Sequence, residues 1–460
     1  MEIFLKYTYS IEDLELATTR INLVAAIDSS GRGGNLFFLT IFDLHPEVVC
    51  CPIVQYSYSY ILEAFGENDS ISAKDAHNFI INRSYFRMLY NELEGENKIL
   101  FERMGGNSLA EIDRPELRKI IDDYFLSRDI VSRREVLVVP MIAYAIVRGL
   151  NVNDIRYLLI GDAISQRAES VLSGFSGRIV NIIIKDFPDA KILRLVRDPR
   201  ATFASPRHQF VNSLGNMYAV RPGNYFKRLA ILRSLKLTPE NGCVYLYWLL
   251  YLRQTELAIC SKEQEFPTHF MPVKNEDLNL HFPKTMASIA KWLNVRMLSD
   301  WTSSNFLPTV MGLPWLGAGA YNSRYQLFTN GLLKNDDQTV SIKVTGPNEY
   351  VTKRWRLRLN SREIELIEYL FFNDLKKYEY EILHHEPERG GMFVIIRTLI
   401  GPFEGELPRL SWIFNGFGES LKEGFNRLFY ALTFPPFYIL SRIMLIKLAR
   451  EKFFTSKLYI

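Results

Sequence analysis

The sequence predicts an α/β protein, a three-layer parallel sheet with helices on both faces, a helical insertion and a helical carboxyl-terminal extension. Three observations predict it. Short apolar runs rich in β-branched residues recur at 21–27, 136–140, 157–160, 192–196 and 269–273. Stretches of helical spacing separate these runs. A glycine-rich turn follows the first run and passes into bunched apolar residues, which is the layout of a strand–turn–helix unit.

The first run, Ile-Asn-Leu-Val-Ala-Ala-Ile at 21–27, reads as a buried parallel strand, and 36–44 reads as the helix after the turn. From 63 to 134 the chain is charged, helically spaced and without a strong strand, so a mostly helical cap over the sheet is expected there. The four later apolar runs, 136–140 included, read as further strands, for about five in all. Near 360–378, Ser361 is a plausible N-cap, followed by Ile364, Ile367, Leu370 and Phe371 at helical spacing. The expected division is an α/β domain over 1–385 and an extension over 386–460.

The extension has its own character. Its uncharged run 428–440 is too short to span a bilayer, and Pro435-Pro436 is expected to break a helix there. Lys422, Arg427, Arg442, Lys447, Arg450, Lys452 and Lys457 surround it. Two readings stand: a terminal helical pair packed on the main domain, or peripheral membrane contact through about 420–457.

Composition limits the function classes. With 48% hydrophobic and 23% charged residues, the chain is ordinary for a globular protein, and a net charge of +4 gives no coat for nucleic acid while leaving room for local anion pockets. Cys50, Cys51, Cys243 and Cys260 form no Cys-x-x-Cys pair and no zinc-ligand spacing, so a reducing compartment and no metal are expected. The opening Met1-Glu2-Ile3-Phe4-Leu5-Lys6 lacks the features of a secretory leader, and the reading is a cytoplasmic protein with a membrane-associated tail as an option.

Two segments have anion-binding chemistry. In Ser29-Ser30-Gly31-Arg32-Gly33-Gly34-Asn35-Leu36, glycines let successive N–H groups converge at a helix start, and Arg32 can add a charge-assisted bond. A plain glycine-rich connection is the alternative. The turn is P-loop-like but lacks the Gly-Lys-Ser/Thr ending of a nucleoside-triphosphate loop, which disfavours a kinase. In the second segment, 187–205, the run 192–196 ends at Arg197, Pro199 suits a first helical turn, and Ser205 follows on that helix. Arg197 and Ser205 could grip one phosphate from two sides; a structural salt bridge between Arg197 and Asp198 is the alternative.

Together these segments resemble the sulfotransferase superfamily, and within it the carbohydrate- and tyrosine-directed group. That family's first loop reads Arg-Ser-Gly-Thr-Thr-Leu before a helix ending in His-Pro; here stand Arg32-Gly33-Gly34-Asn35-Leu36-Phe37 and then His45-Pro46. Its second signature, Phe-Pro-Asp-Ala-Lys, an apolar run, Arg-Asp-Pro-Arg and a serine eight residues after the first arginine, is nearly verbatim at 187–205. Weaker echoes are Lys274-Asn275-Glu276-Asp277-Leu278, Pro314-Trp315-Leu316-Gly317, Asn322-Ser323 and Lys353-Arg354-Trp355-Arg356.

The resemblance implies 3′-phosphoadenosine-5′-phosphosulfate as cosubstrate. It implies that Arg32, Gly33, Gly34, Asn35 and Leu36 hold the 5′-phosphosulfate, and that Arg197 and Ser205 hold the 3′-phosphate. The acceptor would be a hydroxyl of a carbohydrate, glycolipid or small molecule. The pattern is broken in two places. Asn35 and Leu36 replace both threonines of the loop, and Pro52 and Ile53 stand where relatives carry a glutamate base. His45, Glu63, Asp162 and His208 are the remaining candidates for a base, and the catalytic residue stays unassigned. A non-catalytic nucleotide-binding protein is the alternative function.

Overall fold

The computed structural model describes residues 9–28, 33–55, 57–82, 86–107, 109–163, 177–205, 244–315, 346–384, 396–397, 400–402 and 410–455. They fall into two compact units. The first takes in Met1–Arg197, Leu257–Tyr321 and Lys343–Val351; the second takes in Asp198–Glu256, Asn322–Ile342 and Thr352–Ile460.

The first unit opens with α1 (Ile11–Arg20), whose start is fixed by a capping box: Ser10 accepts from the Asp13 amide and Asp13 from the Ser10 amide. Strand β1 (Asn22–Asp28), helix α2 (Asn35–Ile41) and strand β2 (Val48–Gln55) follow. Helices α3 (Ser57–Phe65), α4 (Ala73–Asn82), α5 (Arg114–Phe125) and α6 (Arg133–Val147) precede β3 (Tyr157–Ala163). The unit closes with α7 (Arg178–Asp186), β4 (Lys191–Val196), β5 (Phe270–Lys274), α8 (Asn275–Leu280) and α9 (Phe282–Leu293).

The five strands form one parallel sheet in the order β2-β3-β1-β4-β5. Alternation along β1 divides two apolar layers. Leu23, Ala25 and Ile27 pack with α1, α3, α6 and α7, whereas Val24 and Ala26 pack with Phe38 and Leu39 of α2 and Met286, Ile289 and Leu293 of α9. The expected three-layer α/β class is what the residues build.

Two strand expectations are corrected. Residues 136–140 lie inside α6, which Ser132 and Glu135 start with a capping box. Every residue from 136 to 146 is buried, and a helix buried on all sides has the same unbroken apolar run as a buried strand. The fifth strand is instead β2, at the sheet edge. Pro52 lies within it, and its pairing with β3 shifts register between Cys50 and Gln55, the irregularity an edge strand accommodates.

The 63–134 insertion is helical as expected, with one added two-residue antiparallel ladder, Ile71–Ser72 against Ile130–Val131, at its base. Its Phe79, Ile80, Leu117, Ile120 and Ile121 join the same apolar layer as Leu23 and Ile27. A buried ion pair ties its end to the sheet layer: Arg133 donates to both carboxylate oxygens of Asp186, at 2.9 and 2.7 Å.

In the second unit, α10 (Ser361–Leu370) starts one residue earlier than expected. Asn360, not Ser361, is the N-cap, accepting from Glu363 N at 3.0 Å while Glu363 accepts from Asn360 N. The chain ends in a hairpin of α11 (Leu410–Glu419) and α12 (Leu421–Thr455). The expected break at Pro435-Pro436 does not occur, since α12 runs through both. The prolines and Leu432 are exposed, so carbonyls left without an N–H donor lie toward solvent. No described helix is long and apolar enough to cross a membrane.

Candidate anion site at the sheet switch point

The strand order places a switch between β1 and β4, because the connection after β1 runs to one side and that after β4 to the other. Crevices of this kind, at the carboxyl ends of parallel strands, are where open α/β sheets hold ligands. Register makes the ends level: Asp28 is opposite Leu195, and Val196 is opposite Lys274. The glycine turn after β1, Arg197 after β4 and Asn275 after β5 therefore leave the sheet on the same side.

The turn is held from within. Gly33 N donates to Asp28 Oδ2 at 2.6 Å, and Asp28 is buried. Asn275 Nδ2 donates to Gly33 O at 3.0 Å. Asn279 Nδ2 then donates to Asn275 O at 2.7 Å, and Asn279 Oδ1 accepts from Asn348 N at 3.0 Å. This asparagine relay is a feature the sequence reading missed: Asn275 was noted there as an echo of a family segment, without a contact. The signal lay in its amide side chain at a strand end, a group able to donate and accept at once.

Both glycines are required by close packing. A Cβ on Gly33 would lie 2.6 Å from Asp28 Cβ, and one on Gly34 would lie 2.2 Å from Asn275 Nδ2. Gly34 also has φ of 106°, a left-handed conformation that side chains disfavour. The sequence reading gave Gly33 an amide for an anion; the structure gives that amide to Asp28. Asn35 is buried at the start of α2, and Leu36 is half-buried against the apolar layer, which accounts for an aliphatic side chain at that position. Arg32 lies outside the described residues.

Arg197 is buried directly beyond β4, and its Nη2 donates to Val351 O at 3.4 Å. In the second unit, Arg200 donates through N, Nε and Nη2 to the Asp198 carboxylate at 2.7–3.2 Å. It also pairs with Glu368 and stacks 4.1 Å from the Trp355 ring centre. His384 closes the cluster, its Nδ1 3.0 Å from Glu368 Oε2. Arg200 is thus the structural arginine of the Arg-Asp-Pro-Arg run. Ser205 is the last described residue of a helical stretch that begins at Pro199, and it is half-buried.

Among the candidates for a base, His45 is structural. Its Nδ1 accepts from Glu47 N at 3.1 Å, so the ring hydrogen sits on Nε2, 3.0 Å from Arg296 O, and the ring stacks on Trp301. Burial lowers its pKa and keeps it neutral. Glu63 is exposed on α3. Asp162 lies in β3 opposite Ile27, with its side chain outside the described residues, as is all of His208.

The sheet and its loops define an α/β protein with an open parallel sheet of five strands. Comparison with known proteins adds distant likeness among solved structures alone. No family model matches the chain and no curated protein matches it. Among solved structures it is similar to the sulfotransferase domain from the curacin biosynthetic pathway, at 14% identity and a TM-score of 0.43, over 79% of this chain and 99% of that one. So distant a likeness defines no family, and the fold class rests on the sheet itself.

Proposed function

We propose that the protein binds 3′-phosphoadenosine-5′-phosphosulfate and transfers its sulfuryl group to a hydroxyl of a carbohydrate, glycolipid or small molecule. The observation that carries this reading is the level register of β1 and β4 at the switch point. It supports the reading because Gly33–Leu36 and Arg197, taken from the two parts of the sequence signature, follow adjacent parallel strands. On this reading Arg197 holds the 3′-phosphate, with Ser205 as the second group of the signature, and the 32–36 turn receives the 5′-phosphosulfate.

Transfer would be an in-line displacement. The acceptor oxygen forms a bond to sulfur as the bond from sulfur to the phosphate oxygen breaks, and the acceptor proton passes to a base. Charge grows on the departing phosphate, where arginine and backbone amides are the donors available without a metal.

Calorimetric titration with 3′-phosphoadenosine-5′-phosphate tests the binding half. The wild-type chain is expected to bind, and Arg197→Ala to lose about 2–4 kcal/mol, the scale of a truncated buried charge contact. Unchanged affinity in the variant would sink the assignment. A second reading, binding without transfer, is favoured by Leu36 packing into the apolar layer and by Ile53 being fully buried where a base would stand. Bisphosphate binding with no turnover across an acceptor panel would select it.

A further inference from the structure

Helix α12 is inside out. Its inward side holds the charged groups: Arg427 is buried, donating to Trp412 O at 3.1 Å and pairing with Glu419 and Glu423, and Arg442 is buried and donates to Gly401 O at 3.3 Å. Its outward side is apolar. Leu421, Phe425, Leu432, Ile439 and Ile443 are each 56–71% exposed, with Leu428, Pro435 and Pro436 exposed among them. From 423 to 446 the only charged residues are Glu423, Arg427 and Arg442, the three engaged inward. The stripe from Leu421 to Ile443 is about 33 Å long at 1.5 Å per residue. Leu410 and Phe414 of α11, one turn apart and strongly exposed, add to the apolar surface of the hairpin.

Scattered exposed leucines need no explanation, but a continuous stripe of this length marks a surface meant to be covered. We propose that it lies on an anionic lipid surface, with α12 parallel to the membrane plane. Charge selects this occupant. Lys422 stands at one end of the stripe, and Lys447, Arg450 and Lys452 follow in the last turns of the helix. A second copy pairing in parallel along the stripe would bring the Lys447, Arg450 and Lys452 segment against its own cations. Pro435 and Pro436 would also interrupt the side-chain interlocking that helix pairing requires. A lipid surface needs no such interlocking, and anionic headgroups complement the net positive last turns, where Lys447, Arg450 and Lys452 outnumber Glu451. Since no described helix is apolar enough to cross a bilayer, the contact is peripheral. The proposal does not depend on the nucleotide reading.

Co-sedimentation of the full chain with vesicles tests it, using phosphatidylcholine alone and phosphatidylcholine mixed with phosphatidylserine. The wild type is expected to bind the mixed vesicles at least tenfold more tightly than the neutral ones. Leu432→Glu and Ile439→Glu are each expected to weaken that binding at least tenfold with unchanged thermal unfolding, as both sites face solvent. Leu432→Gln serves in place of either variant that melts lower. No binding to the mixed vesicles, equal binding to both kinds, or binding that the variants leave intact would overturn the proposal. So would a concentration-dependent dimer that the same variants dissociate, which would make the stripe a contact between copies.

Discussion

Gly34 concentrates the constraints on the glycine turn. Its backbone is left-handed at φ 106°, and the space a Cβ needs is taken by Asn275 Nδ2 at 2.2 Å. Gly34→Ala therefore incurs backbone strain of about 1–2 kcal/mol. It also displaces the amide that donates to Gly33 O, a hydrogen bond of about 1 kcal/mol. A loss of roughly 2–3 kcal/mol in denaturant unfolding is expected. An unchanged midpoint would mean that the turn rearranges freely. The sequence announced the glycines as an anion cradle but not their fit to the surrounding side chains. Gly33 and Gly34 pack closely on Asp28 and Asn275, and Gly33 N donates to Asp28. That fit depends on Asn275, 242 residues away from Gly33, and local pattern holds no trace of such a contact.

At the scale of elements, the His45-Pro46 turn after α2 carries a pH signature. Burial keeps the His45 ring neutral and its pKa below the ordinary 6.5, and a protonated ring would also set an N–H against the Glu47 amide. Between the folded pKa and 6.5 the unfolded chain binds more protons than the folded one. The contribution of His45 is then fully present above pH 6.5 and is lost as pH falls from 6.5 toward the folded pKa. Melting temperatures between pH 7.5 and 5.5 should fall more steeply for the wild type than for His45→Gln. Parallel slopes would show that His45 is not the group responsible.

Helix α12 offers a second test at this scale. A proline in a helix interior costs about 3 kcal/mol, reduced where the orphaned carbonyl is hydrated. Pro436→Ala is expected to stabilise the second unit by about 1–3 kcal/mol, read from its unfolding midpoint. A lower midpoint would mean that the helix does not run through the prolines as described. Element type was legible where apolar period and length agreed, as at 21–27 and 192–196. It was not legible at 136–140, where burial on every side erases the helical period, nor at β2, where Pro52 masks an edge strand.

At the scale of the whole molecule, sequence pattern predicted about five parallel strands but not their order, because order is set by which faces the helices cover. The order β2-β3-β1-β4-β5 brings together two loops about 160 residues apart in sequence, and ligand linkage tests that arrangement. A ligand that binds only the folded chain stabilises it by about 2.7 kcal/mol at a hundred times its dissociation constant. For a chain of 460 residues unfolding as one, the shift in melting temperature is about 3 °C, and it is larger if the sheet-bearing unit unfolds separately. 3′-Phosphoadenosine-5′-phosphate should produce this shift in the wild type and not, at the same concentration, in Arg197→Ala. ATP should produce little, because the turn lacks the lysine and hydroxyl that hold β- and γ-phosphates with magnesium. A shift with ATP and none with the bisphosphate would overturn the choice of nucleotide and the reading built on it.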